Sequence, residues 1–189
     1  MAAGLVTRGA VLIDADAIVR DLQMPGMPVL AAMANEFGPT ILTADGALDR
    51  QAMAAIVFAD ESRLAALNAI VHPAVVTEME TQRCELRATD QVVVTDIPLL
   101  VRADGTRAVN KDYDALVGVV VVDCDTEVAV RRLADHRGFT EVDARARMAN
   151  QATREARLAV ADFVIDNSGT RAELEPQLDA CWDWMGAAG

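Results

Sequence analysis

The stretch Gly9-Ala10-Val11-Leu12-Ile13-Asp14-Ala15-Asp16 decides the fold. Its short apolar run, between a glycine and an acidic pair, shows no alternation, so it predicts a strand buried on both faces. Such strands belong to parallel sheets, whose neighbours are joined by helical crossovers. The crossover follows at once. Asp14 or Asp16 suits the N-cap of a helix over 17–22, which Pro25, Gly26 and Pro28 end.

Outward from there, residues 2–8 read as a helix tail with Gly9 as its C-cap. Residues 28 to about 88 carry helical spacing, with helices expected over 29–37, 49–58, 61–71 and 73–87 and Pro73 in the first turn of the last. A strand over 92–96, a loop of mixed polarity over 102–112 and a fully apolar strand over 115–122 follow. Helices are expected over 125–137, stopped by Gly138, and over 142–149; a last strand spans 162–165 and a closing helix 171–185. Trp182 and Trp184 lie about 200° apart on that helix, so one is expected in the core and the other more exposed. Alternating strands and helices predict an α/β protein with right-handed crossovers. The all-helical insert predicts a substrate subdomain.

A chain of 189 residues, 52% hydrophobic with a mean hydropathy of +0.19, can bury one real core and is not a disordered segment. The net charge of −12 argues against a nucleic-acid surface, which needs a basic stripe. It leaves room for an anionic small molecule, because a few placed arginines build a local positive cleft. Lys111 is the single lysine among 17 basic residues, and arginine suits bidentate phosphate contacts. Cys84, Cys124 and Cys181 are dispersed and odd in number, which indicates neither a disulfide framework nor a zinc site. No apolar run reaches membrane-spanning length and no signal-peptide pattern opens the chain, so a cytoplasmic protein is expected.

Asp14 and Asp16 stand at the carboxyl end of a strand, where open α/β sheets bind ligands; helix capping explains them equally well. Arg20, one turn later, suits either an anionic group or a solvated helix face. Asp96 closes the second strand, where an acid can hold a magnesium-bound water. His72, before Pro73, is by itself a turn residue or helix cap. Arg131, Arg132, Arg137, Arg145, Arg147, Arg154 and Arg157 crowd a short segment. They read either as an exposed helical pair with partners such as Glu141–Arg145 and Asp143–Arg147, or as a lid that closes on phosphates. Asp166-Asn167-Ser168-Gly169 is a turn after the last strand.

Together V-L-I-D-A-D (11–16), A-D-G-A-L-D-R (44–50), V-H-P (71–73), D-I-P-L-L (96–100) and Q-A-T-R-E-A-R-L-A-V-A-D-F-V-I-D-N-S-G (151–169) resemble the dephospho-coenzyme A kinase family over essentially the whole chain. The resemblance implies a three-layer P-loop kinase-like parallel sheet in a single domain over 1–189. A coenzyme A-binding helical subdomain would span about 24–90 and an Arg-rich lid about 126–160. It implies ATP as donor, Mg2+ as cofactor and the ribose 3′-hydroxyl of dephospho-coenzyme A as acceptor. By resemblance, Asp16 takes the acceptor's proton and Arg132 stabilises the transferring phosphoryl group. Arg20, Arg50 and His72 contact the substrate. Arg137, Arg147, Gln151 and Asn167 contact the nucleotide, and Asp96 holds metal through water. This assignment needs Asp16 and the 131–157 guanidinium groups to share one cleft.

Two departures stand out. The family opens with a strand and a Gly-rich loop ending in Gly-Lys-Ser/Thr, and no G-x-x-x-x-G-K-[ST] occurs in these residues. The glutamate that usually follows the leucines of D-I-P-L-L is replaced by Val101-Arg102. The first departure implies a missing central strand and little or no kinase activity for this polypeptide. It fits a kinase whose recorded start is late; the alternative is a non-catalytic relic that binds a coenzyme A-like ligand or acts through a partner.

Overall fold

The computed structural model describes residues 1–102, 105–106, 116–149 and 151–188. The chain divides into two compact units, one of Val11–Ile97 and one of Met1–Ala10 with Pro98–Gly189. Lys111, the middle of the 102–112 loop and the expected strand start at Ala115 lie outside the described residues.

In the Val11–Ile97 unit, β1 (Val11–Asp14) pairs in parallel with β2 (Val93–Asp96), in a register that sets Asp14 opposite Asp96. Ile13 is 1% exposed, as expected of a strand covered on both faces. The helices are α2 (Ala15–Leu22), α3 (Pro28–Phe37), α4 (Arg50–Ala59) and α5 (Glu61–Leu86). The last is the spine on which the other three pack.

Two helices were expected where α5 runs unbroken through Pro73. Proline removes one helical hydrogen bond and costs about 3 kcal/mol in a helix interior. Val71, Val75 and Met79 lie four residues apart and are all buried. Each contributes about 1.5–3 kcal/mol, so their shared burial outweighs the break.

In the other unit, α1 (Ala2–Val6) packs on α9 (Arg171–Ala188). Strands β3 (Val120–Asp123) and β4 (Phe163–Asp166) pair in parallel, with Asp123 opposite Asp166. Between them run α6 (Thr126–Arg137), α7 (Glu141–Ala149) and α8 (Arg154–Ala159). Gly138 ends α6 at φ 68°, a left-handed value that glycine adopts without strain. No strand among the described residues is shared by the two pairs.

The valine run forms strand only from Val120. Just before it, a Cβ on Gly118 would meet the Trp184 ring at 2.7 Å, and the Val119 amide donates to the Asp162 carboxylate instead of a ladder carbonyl. Trp184 also stacks on Phe163, with ring centroids 5.5 Å apart. Both tryptophans are half-buried, contrary to the expected split, because Trp182 packs against Gly9 on the other side of α9. Helix α8 was not expected; six residues are too few to display a period. Among the described residues no helix is long and apolar enough to cross a membrane.

Candidate functional site

Among the described residues all four strands end in aspartate: V-L-I-D, V-V-T-D, V-V-V-D and F-V-I-D. An acid terminates each apolar run because the next residue leaves the buried layer, and the four carboxylates have four different fates.

Asp14 caps α2, its Oδ1 accepting from the Ala17 amide at 2.9 Å. Asp16 sits in the first turn of α2, exposed, and its side chain makes no hydrogen bond among the described residues. Asp96 is also exposed by area. Partial desolvation between the strand ends nevertheless raises its carboxyl above the ordinary aspartate value, and the charges of Asp14 and Asp16 add to the rise. None of the three forms an ion pair among the described residues.

A group whose folded value is raised favours folding at low pH and loses that advantage as pH climbs through the raised value. Asp96→Asn is therefore expected to raise the melting temperature by about 1–2 °C at pH 7. The gain should vanish as the pH approaches about 3.9, where aspartate is half-protonated in the unfolded chain. Thermal scans of both proteins across that range check it.

Other predicted residues of this unit lie on its helices. Arg50 opens α4, and its Nη1 donates to Oε1 of the buried Gln23 at 3.0 Å. Arg20 on α2 and His72 on α5 are exposed and unbonded among the described residues. His72 is thus a mid-helix side chain rather than a helix cap.

The second group of residues belongs to the β3–β4 unit. Arg132 on α6 donates to the carbonyls of Asn167, Ser168 and Gly169, the last at 2.6 Å. Its guanidinium closes the turn after β4. The Asp125 amide bonds Ser168 Oγ at 2.8 Å, and Asp166 accepts from the Ser168 amide at 2.8 Å. Asn167 keeps its side-chain amide unbonded among the described residues. Beside this turn opens a cleft of about 340 Å³, lined by Arg132, Asn167, Gly169, Arg171 and the start of α1.

The seven arginines divide by what they hold. Arg145 joins α6 to α7 through Glu127 and Glu141, at 2.8 Å to each. Arg157 donates to the Ala152 carbonyl, and Arg131 reaches the Glu127 carbonyl at 3.4 Å. Arg154 grips Asp123. Arg147 lies over the Phe139 ring, 4.4 Å from its centroid, with its donors uncommitted. Arg137 makes no hydrogen bond or ion pair among the described residues, nor does the Gln151 side chain. Of the predicted nucleotide contacts, Arg137, Arg147, Gln151 and Asn167 keep side-chain donors available, whereas Arg132 is engaged. The expected Asp143–Arg147 pair is replaced by the Phe139 contact, while Asp143 bonds Thr140 at 2.6 Å.

Sequence reasoning missed Asp123 and Gln23. The acid at each strand's end was the available signal for Asp123; Gln23 carried none.

The family model for dephospho-CoA kinase matches residues 1–173. The dephospho-CoA kinase of Streptomyces avermitilis is 50% identical over 181 residues, covering 94% of this chain and 83% of that one. That of Thermobifida fusca is 46% identical over 180 residues, covering 95% and 86%. TT1252 from Thermus thermophilus superposes with a TM-score of 0.74 at 28% identity, over 96% of this chain and 88% of that one. The dephospho-CoA kinase from Campylobacter jejuni shares the fold, with a TM-score of 0.66 at 22% identity over 97% and 92%. With a family match over nearly its whole length and relatives at about half identity, the chain belongs to the dephospho-CoA kinase family.

Proposed function

We propose that the residues described above are built to transfer the γ-phosphoryl group of ATP to the ribose 3′-hydroxyl of dephospho-coenzyme A, the last step of coenzyme A synthesis. The observation that carries this reading is the exposed Asp16 carboxylate in the first turn of the helix after β1, unbonded among the described residues. Phosphoryl transfer asks for an oriented nucleophile more than a strong base. Asp16 orients the 3′-hydroxyl and takes its proton as the O–P bond forms. Arg20, Arg50 and His72 hold the anionic and adenine-bearing parts of the acceptor, with Gln23 fixing Arg50. Arg137 and Arg147 meet the donor phosphates, and Gln151 and Asn167 contact the nucleotide. Arg132 shares the phosphoryl charge when it releases part of the 167–169 turn.

Asp96, exposed at the end of β2 and free of ion pairs among the described residues, would hold a Mg2+ ion through water. Among the described residues no group of three or more His, Cys, Asp or Glu side chains could hold a metal ion directly. Mg2+ needs none, since it keeps several waters and binds through one or two carboxylates and the substrate's phosphates. Bound there, a Mg2+ ion would neutralise phosphate charge.

These residues contain no Gly-Lys-Ser/Thr loop. We therefore expect substrate binding to exceed turnover in this polypeptide. A cytoplasmic setting agrees with the chemistry, and the acidic net charge of −12 disfavours nucleic acid as a partner.

Calorimetric titration with dephospho-coenzyme A tests the reading. Binding is expected, weakened about 10-fold by Arg50→Ala, the cost of one charge-assisted hydrogen bond. An absence of binding, or equal binding by the variant, contradicts the assignment.

A further inference from the structure

Asp123 differs from the other three strand-end acids in being buried, at 3% exposure. Its carboxylate is forked by one guanidinium. Nε of Arg154 lies 3.0 and 2.9 Å from its two oxygens, and Nη2 lies 2.6 Å from Oδ2. This contact holds Asp123 below the usual carboxylate range. The Arg154 side chain is nevertheless half exposed, and its Nη1 makes no hydrogen bond among the described residues. The fork grips one edge of the guanidinium and leaves the other turned outward.

The same Asp123 acts through its backbone as well. Its carbonyl accepts from the Asn167 amide at 2.7 Å, so one residue orders both the 166–169 turn and the foot of α8. That foot is fixed further by the Thr153 cap on the Ala156 amide, by buried Ala152 and by Arg157 on the Ala152 carbonyl. Stability does not account for such a pair. A buried ion pair is commonly replaced by apolar side chains without loss, and an apolar contact would leave no cation outside.

We propose that Arg154 contacts a phosphate of the bound nucleotide and that Asp123 is its positioning residue, clamping Nε and Nη2 so that Nη1 faces an anionic oxygen. Arginine suits this because its planar fork is set by one carboxylate while a third nitrogen stays available; lysine offers a single point charge. The proposal rests on the nucleotide reading above and adds two residues to it.

The test is equilibrium binding of ATP with Mg2+, and separately of dephospho-coenzyme A, to the whole chain by calorimetry. Wild type, Asp123→Asn, Arg154→Lys and the double variant are compared. Each single change is expected to weaken ATP about 5–10-fold, the loss of one oriented charged contact. The double variant should be no more than about twofold worse than the weaker single, because both act through one contact. Dephospho-coenzyme A affinity should stay within about twofold, a selectivity that general loosening of the fold would not produce. If Asp123→Asn does not fold, Arg154→Lys and Arg154→Gln carry the same comparison. Unchanged ATP binding in the single variants overturns the proposal, and so does an equal loss for both ligands. A wild type that binds dephospho-coenzyme A but no ATP overturns the positioning role and spares the acceptor-site reading. One that binds neither overturns that reading itself.

Discussion

Turnover of dephospho-coenzyme A by a polypeptide of these 189 residues should run at least about 10⁴-fold below that of a family member carrying the Gly-Lys-Ser/Thr loop. The loop supplies backbone N–H groups that cradle the β- and γ-phosphates, a lysine on the same oxygens and a hydroxyl on the metal. Each preorganised donor aimed at developing charge is worth about 10²–10³ in rate. Groups that act as a unit do not multiply, so about 10⁴ stands as a floor rather than a product. The arginines do not replace the cradle. Arg132, Arg145 and Arg157 are bonded within their own unit, which leaves Arg137, Arg147 and the outward Nη1 of Arg154, too few donors to rebuild a backbone cradle. A coupled ADP-release assay with both substrates checks the rate. A rate close to that of the Streptomyces avermitilis relative would show that a nucleotide cradle exists elsewhere in the chain.

Asp16→Asn is the second large effect. In a chain that carries a Gly-Lys-Ser/Thr loop ahead of these residues, it should lower kcat by about 10²–10⁴-fold, the usual worth of a positioned proton acceptor. Asparagine keeps the size of the side chain and can still bond a hydroxyl, so KM for dephospho-coenzyme A should change little. A loss confined to kcat marks an interaction made in the transition state. Folding should be unaffected, because Asp16 is exposed and α2 is capped by Asp14 instead. Steady-state kinetics with the acceptor varied separate the two constants. A raised KM with unchanged kcat would make Asp16 a binding residue only.

Much of this architecture was legible because the apolar runs are short and sharply bounded. Gly9 and Asp14 bracket β1, and Gly138 ends α6 where a stop was expected. What the sequence hid depends on tertiary contacts. Proline at 73 looked like a helix start, yet Val71, Val75 and Met79 bury one face on both sides of it and carry the helix through. The valine run looked like one long strand, but the Trp184 ring lies against Gly118 and Asp162 takes the Val119 amide, so pairing begins later. At the site, Asp14 and Asp16 could not be told apart by spacing; the cap on the Ala17 amide separates them. Crowding of arginines was visible as composition, but their division into structural clasps and available donors was not. That division is set by where Glu127, Asp123 and the 167–169 carbonyls come to lie.

On the proposed reading, Asp16 is the proton acceptor of a phosphoryl-transfer site that needs a Gly-Lys-Ser/Thr loop for turnover. Joining the first strand and Gly-rich loop of the Streptomyces avermitilis enzyme ahead of Met1, and measuring ATP-dependent phosphorylation of dephospho-coenzyme A, tests it most directly. The rate is predicted to rise at least about 10³-fold over the 189-residue chain and to fall again on Asp16→Asn. A folded fusion that stays as slow as the starting chain, or one that keeps its full rate with asparagine at position 16, would contradict it.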